Sequence, residues 1–172
     1  MAQYNKWMNE SIYSAAASIS QQELSKNRGA YFGSILGTLN HIMVADIIWL
    51  KRFARHPNGF NALDGISARP MPSSLDSILL DDLTALESER QTIDNAIVAF
   101  IAELSSDVLA SHLSYHDTKG KPYTKSFAHL LLHFFNHQTH HRGQISTLFS
   151  QLGIDIGVTD LLVTLPDVAT QN

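Results

Sequence analysis

No cysteine occurs among the 172 residues. That absence excludes disulfides, thiolate nucleophiles, zinc fingers and iron–sulfur clusters, so any bound metal would have to sit on nitrogen and oxygen. Positive charge is also scarce, with twelve Lys and Arg against sixteen Asp and Glu and a net charge of −4. Little of the field that draws in a phosphate backbone is available, and no nucleic acid partner is expected. Missing too is any uninterrupted apolar run of the roughly 18–20 residues needed to cross a bilayer. The opening MAQYNKWMNES has neither the basic region nor the apolar run of a signal peptide, so the expected location is cytoplasmic, with no membrane partner. There is no internal repeat and no low-complexity segment. What the chain does have is a hydrophobic share of 44%, enough for one domain over residues 1–172 with a substantial core.

Hydrophobic periodicity predicts four long helices. The first runs from Tyr4 to about Ser20, where Tyr4, Trp7, Met8, Ile12, Ala15, Ala16 and Ile19 repeat at spacings of three and four. Residues 21–29 read as a connection. A second helix spans about Tyr31 to Arg55 and is apolar almost all round, as a helix buried on several sides is. His56-Pro57-Asn58-Gly59 stops it, and a loop rich in Pro, Gly and Ser follows to about Ser74. A third helix is expected from about Leu75 to Leu104, capped by Ser73 or Ser74, with Asp76, Asp81 and Asp82 favouring its positive end. Residues His112 to His116 alternate, and with the turn Asp117 to Lys121 and Pro122-Tyr123-Thr124 they predict a small β-hairpin. Ser126 would cap a last helix that ends near Leu152 and Gly153, and residues 159–165 would form a short helical turn. The fold class is all-α: a four-helix bundle with a long crossover loop and a small β-hairpin.

The last helix holds the main functional signal. His133, His137, His140 and His141 fall within twelve residues, with His129 one turn upstream. At 100° per residue, Phe127, Leu130, Phe134, Ile145, Leu148 and Leu152 share one face. His141 falls in the middle of that face, His137 at its edge, His133 one step further round, and His129 and His140 toward solvent. Two near-inward imidazoles one turn apart form half of a metal site. The competing reading is an imidazole network held by hydrogen bonds inside the core, and the spacing alone leaves both open.

Three stretches carry a resemblance over nearly the whole chain. They are Asn136-His137-x-x-x-His141-Arg142-Gly143-Gln144, Leu39-Asn40-His41-Ile42-x-x-Ala45-Asp46-x-x-Trp49, and Tyr4-Asn5-x-Trp7-x-Asn9. Together they resemble the DinB family of small metal-binding bundles, also called DinB/YfiT-like. The resemblance implies an up-down-down-up bundle, often a homodimer, with a divalent metal on three histidines. Carried over position by position, these are His41, His137 and His141. His41 comes from the resemblance alone, because the second helix is apolar on too many sides to define an inward direction. Zinc or nickel suits the donors best, with iron, manganese and cobalt also admitted. The resemblance further implies a metal-dependent transferase using a low-molecular-weight thiol such as bacillithiol or mycothiol, or a hydrolase, acting on a small molecule. The alternative is a non-catalytic metal- or ligand-binding bundle of the stress response.

Other residues carry weaker expectations, and no catalytic residue is assigned. His133 would hydrogen-bond the site, line its mouth, or pack at the bundle rim. Asp46, five residues after His41, suits pairing across the bundle better than ligation. Arg142 and Gln144 are expected to pair with other helices or with a dimer mate, and Gly143 to permit close helix approach. Trp7, Trp49, Phe134 and Phe135 read as core. His112, Tyr115 and His116 lie on the hairpin and read as solvated.

Overall fold

A computed structural model describes residues 1–167. Helix α1 (Ala2–Ala17) turns its apolar stripe inward and buries Met8, Ile12, Tyr13 and Ala16. The segment expected as a plain connection contains a short helix, α2 (Gln21–Ser25), because the Ser20 side chain accepts the Glu23 N–H and caps it. Helix α3 (Ile35–Phe53) starts later than its composition suggests. Ser34 is its cap, and Tyr31-Phe32-Gly33 forms a turn in which Gly33 has φ of 75°, the left-handed region that glycine occupies without strain. The crossover is longer than expected and partly ordered. It holds a 3₁₀ turn (Asn61–Leu63) and the short helix α4 (Asp64–Ser67).

The third long helix, α5 (Leu83–Ala102), begins eight residues later than Leu75 and is capped by Asp82, not by Ser73 or Ser74. Residues 75–82 stay non-helical because the fully buried Asn40 claims their backbone. Its Oδ1 accepts Leu79 N–H at 2.8 Å and Leu80 N–H at 3.1 Å, and its Nδ2 donates to the Leu80 carbonyl at 2.9 Å. A side chain that satisfies main-chain groups this well removes the incentive to form a helix there. Leu75, Ile78 and Leu79 are correspondingly exposed. Helix α6 (Ser106–Ala110) precedes the hairpin, in which β1 (His112–His116) pairs antiparallel with β2 (Pro122–Ser126). Ser126 caps α7 (Phe127–Ser150), and a 3₁₀ turn covers Leu161–Thr164.

The four long helices form a ring in which α1 touches α5 and α7, and α3 touches the same two. Contacts fix the directions. Asn40 meets Leu80, Asp46 meets Arg90 and Phe53 meets Phe100, so the segment ending in α5 runs parallel to α3. Phe32 meets His141, Trp49 meets His133 and Phe53 meets Phe127, so α7 runs antiparallel to α3. This is the up-down-down-up bundle with its crossover and hairpin, and parallel α3 and α5 are the reason the crossover is long. One end of the core is aromatic, with Phe53, Phe60, Phe100, Phe127 and Phe134 mutually packed. No helix among the described residues is long and apolar enough to cross a membrane.

Inside the bundle a charged network links all four long helices. Arg90 Nη1 lies 2.6 Å from Asp46 Oδ2, and Arg90 Nη2 lies 3.1 Å from Asp94 Oδ1. Asn9 donates to both Asp94 oxygens at 2.9 and 3.1 Å. Arg142 Nη1 donates to Asn5 and Asn9, and its Nη2 to Thr139. Asp46 thus pairs across the bundle with Arg90, and Arg142 with Asn5 and Asn9. Gly143 does not serve close approach: a methyl group built there meets nothing within 4 Å.

Candidate metal centre

The structure brings His41, His137 and His141 together, one from α3 and two from successive turns of α7. His41 Nε2 lies 3.3 Å from His137 Nε2 and 3.2 Å from His141 Nε2, and one ligand atom from each residue falls within 4.8 Å of the others. His41 and His141 are buried, while His137 is partly exposed. His129, which the wheel turns outward, does not join them, and His140 only flanks the group, its ring centroid 4.8 Å from that of His141.

Ring orientation decides what these nitrogens can do. His41 Nδ1 is 2.7 Å from the Leu75 carbonyl, which only accepts, so Nδ1 carries the proton and Nε2 presents a lone pair. Likewise His141 Nδ1 is 2.8 Å from Gln144 Oε1, and the amide Nε2 of Gln144 turns to His140 at 3.3 Å. His141 therefore also points a lone pair inward. Two lone pairs 3.2 Å apart repel unless a positive charge lies between them. A tetrahedral centre with nitrogen ligands at its ordinary bond length has ligand edges of about 3.3 Å. The observed spacing fits that geometry, and the donor set fits a divalent ion. Three histidines leave a fourth position open, as in catalytic rather than closed structural sites.

Electrostatics agree with neutral ligands. Burial pushes the His41 and His141 imidazoles below their usual range. Burial, reinforced by the neighbouring His141, His41, His133 and His140, pushes His137 down to about 3. The charges acting on these rings are other histidines rather than carboxylates, so among the described residues no carboxylate joins the three histidines to offset the charge of a bound ion.

Three residues that support the site escaped the sequence reading. The Phe32 ring stacks on His41, with centroids 3.7 Å apart and planes 15° from parallel, and meets His141 edge-on at 5.6 Å. Phe32 reads as one more apolar residue of a helix, and only Gly33-Ser34 hints at a turn. Gly37 lets that turn approach, since a Cβ there would sit 2.1 Å from the Phe32 carbonyl oxygen. Leu75 acts through its backbone and has no sequence signal at all. Gln144, expected to pair with another helix or a dimer mate, instead serves its own helix, meeting His141 one turn back and His140 beside it.

On the other side of the histidines a chamber of about 200 Å³ is lined by Ala45, Ile48, Trp49 and His133 along with His41 and His137. His133 lies at the mouth and makes an edge contact with Trp49 at 5.1 Å. Burial and the cations of Lys125 and Arg52 hold its imidazole below the usual range. Trp49 is therefore both core and wall.

Comparisons with known proteins bear on the family and the fold. The chain is 23% identical over 162 residues to Protein DinB of Bacillus subtilis (strain 168), covering 92% of this chain and 87% of that protein. It superposes with a TM-score of 0.54 on the crystal structure of a DinB-like protein from Bacillus cereus ATCC 10987, at 20% identity, covering 88% of this chain and 89% of the other. That likeness bears on the fold. The family model of the DinB family matches residues 1–168, and the chain belongs to the DinB family.

Proposed function

We propose that the protein binds one divalent metal ion, zinc or nickel by preference, on His41, His137 and His141, and that it is a metal-dependent enzyme acting on a small molecule. Transfer of a low-molecular-weight thiol is the favoured reaction, and hydrolysis is the alternative. The carrying observation is the pair of inward lone pairs on His41 and His141, spaced 3.2 Å apart with both outer nitrogens already committed. An ordinary imidazole network would place a proton between such nitrogens. When bound, the ion supplies a Lewis-acidic position at which a thiol or a water is deprotonated near neutral pH.

The chain's own residues do the rest. The Leu75 carbonyl and the Gln144 amide lock ring rotation and tautomer, as partners of metal-binding histidines generally do. Phe32 covers one side of the site and excludes water there. Access is left to the chamber beside Ala45, Ile48 and Trp49. An uncompensated dication favours an anionic fourth ligand, which suits a thiolate or hydroxide better than a neutral donor.

Elemental analysis of protein purified without an affinity tag should find about one metal ion per chain, and His137→Ala should reduce it to background. Unchanged metal content in that variant removes the reading. Incubation of the loaded protein with a panel of thiols and electrophiles then separates catalysis from binding. Consumption of substrate supports the enzyme, whereas a rise in melting temperature without consumption identifies a non-catalytic ligand-binding bundle.

A further inference from the structure

The chamber at the histidines opens into a second, larger cavity of about 480 Å³. Ile48, Arg52, Leu75 and Thr118 line both, so the two form one groove running along α3 from the candidate metal centre to the tip of the hairpin. The far end is basic, with Lys51, Arg52 and Arg55 on its wall and Asp117 as the one carboxylate beside them.

These groups are not equivalent. Lys51 is committed to the crossover, donating to the Ser67 carbonyl at 2.6 Å and to that of Arg69. Asp117 spends Oδ1 on the backbone N–H groups of Lys119 and Lys121, at 2.8 and 2.9 Å, which shapes the hairpin turn. Arg52 is different. Its guanidinium lies 4.6 Å over the Trp49 ring and 5.0 Å from the Tyr115 ring. A single donor, Nη2, is used on the His116 carbonyl at 2.9 Å. Among the described residues its other donors have no acceptor and it makes no ion pair. Arg55, exposed one turn on, has none either.

Cations at the end of a helix stabilise its dipole, and that accounts for basic residues in the last turn of α3. It does not account for a guanidinium clamped between two aromatic rings and half-removed from water with donors unspent. Desolvating a cation is costly unless an acceptor returns the lost interactions. Fixed, partly dehydrated arginines of this kind suit planar anions, which accept two of their hydrogen bonds at once.

From this geometry we infer that the groove takes a small anionic molecule whose carboxylate or phosphate is held by Arg52, assisted by Arg55, while its other end reaches the three imidazoles. The inference rests on the proposed metal site. His41 and Arg52 are eleven residues apart on α3, but the guanidinium turns back over Trp49 and lines the same chamber as His41 and His137. The ligand therefore spans less than the full helical rise between the two positions, with its anionic group at the end away from the metal-facing atom.

Cobalt-loaded full-length protein provides the test, because a thiolate entering the open position produces a charge-transfer absorption band. The probes are 6-mercaptohexanoate and 11-mercaptoundecanoate, the alcohols and amines of matching length, and a matching phosphonate. The expected result is that, at the chain length that spans the two ends, the acid binds roughly tenfold more tightly than its alcohol and the amine binds more weakly than either. Arg52→Gln should remove the preference for the acid while leaving the cobalt spectrum and the affinity for the alcohol unchanged. Arg55→Gln should weaken it and keeps the test open if Arg52→Gln disturbs Trp49. A stronger response to the phosphonate assigns the anion as phosphate, and a stronger response to the acid assigns it as carboxylate. Equal binding of acid and alcohol, or a preference that survives both substitutions, overturns the anion site alone. Absence of a band with every thiol overturns the open metal position on which it depends.

Discussion

Two polar clusters are buried in this bundle. In one, Asp46, Arg90, Asp94 and Arg142 carry formal charges that cancel and join four helices through their own hydrogen bonds. In the other, three imidazoles meet, and His41 and His141 both turn lone pairs toward a shared point. The first is close to complete without help, although Asp46 Oδ1, Arg90 Nε and the Tyr13 hydroxyl have no protein partner and leave room for ordered water. The second leaves the His41 and His141 lone pairs facing each other with no proton between them. Both are buried and polar, so burial of polar groups does not by itself mark function. The useful distinction is whether the groups satisfy one another, and it separates a structural staple from a binding site.

If that distinction holds, the largest effect comes from breaking the staple. Arg90→Met leaves Asp46 and Asp94 buried without their cation and should cost roughly 3–5 kcal/mol in chemical denaturation, with or without metal. His41→Ala should abolish metal binding while costing the metal-free protein clearly less. A larger loss of metal-free stability in His41→Ala than in Arg90→Met would reverse the assignment.

Next in size is the effect of the ion itself. Loading at a thousandfold excess over the dissociation constant should add about 4 kcal/mol and raise the melting temperature of the wild type, but not of His137→Ala. Protons should act in the opposite sense on the metal-free protein. His137 is held down to about 3 from an ordinary 6.5, so below pH 6.5 the unfolded chain binds a proton that the folded chain refuses. Its share of stability is fully present above pH 6.5 and is lost as the pH falls toward about 3. Melting curves over that window should steepen this loss in the wild type relative to His137→Gln; parallel curves would count against it.

Smaller still is Gln144→Leu, which frees the His141 ring without touching a ligand and should weaken metal affinity by about tenfold, measured by competition with a chelator. The smallest change is Gly143→Ala. Because the added methyl meets nothing, helix propensity should raise stability by about 0.5–1 kcal/mol with metal content unchanged.

How legible these clusters were depends on the helix that carries each residue. On α7 the apolar face is a stripe, so the wheel places His141 inward and His137 at the edge from spacing alone. On α3 the apolar residues go all round, and no wheel selects His41; only the family resemblance did. Leu75, Leu79, Leu83 and Leu86 repeat at helical spacing and predict too early a start for α5, while the side chain that cancels the pattern, Asn40, lies 35 or more residues upstream. The same blindness to long-range contacts hid Phe32, which sits outside the helix its composition suggests. Local periodicity reports which residues avoid water. It says nothing about which distant backbone a buried amide will occupy.

The hydrogen bond from His41 to Leu75 ends on a main-chain oxygen, a group common to all twenty residue types. Natural variation can therefore rewrite position 75 without loosening the ring it steadies, whereas inserting or deleting a residue nearby shifts the anchor bodily. Across related chains, the crossover should be permissive in spelling and strict in length.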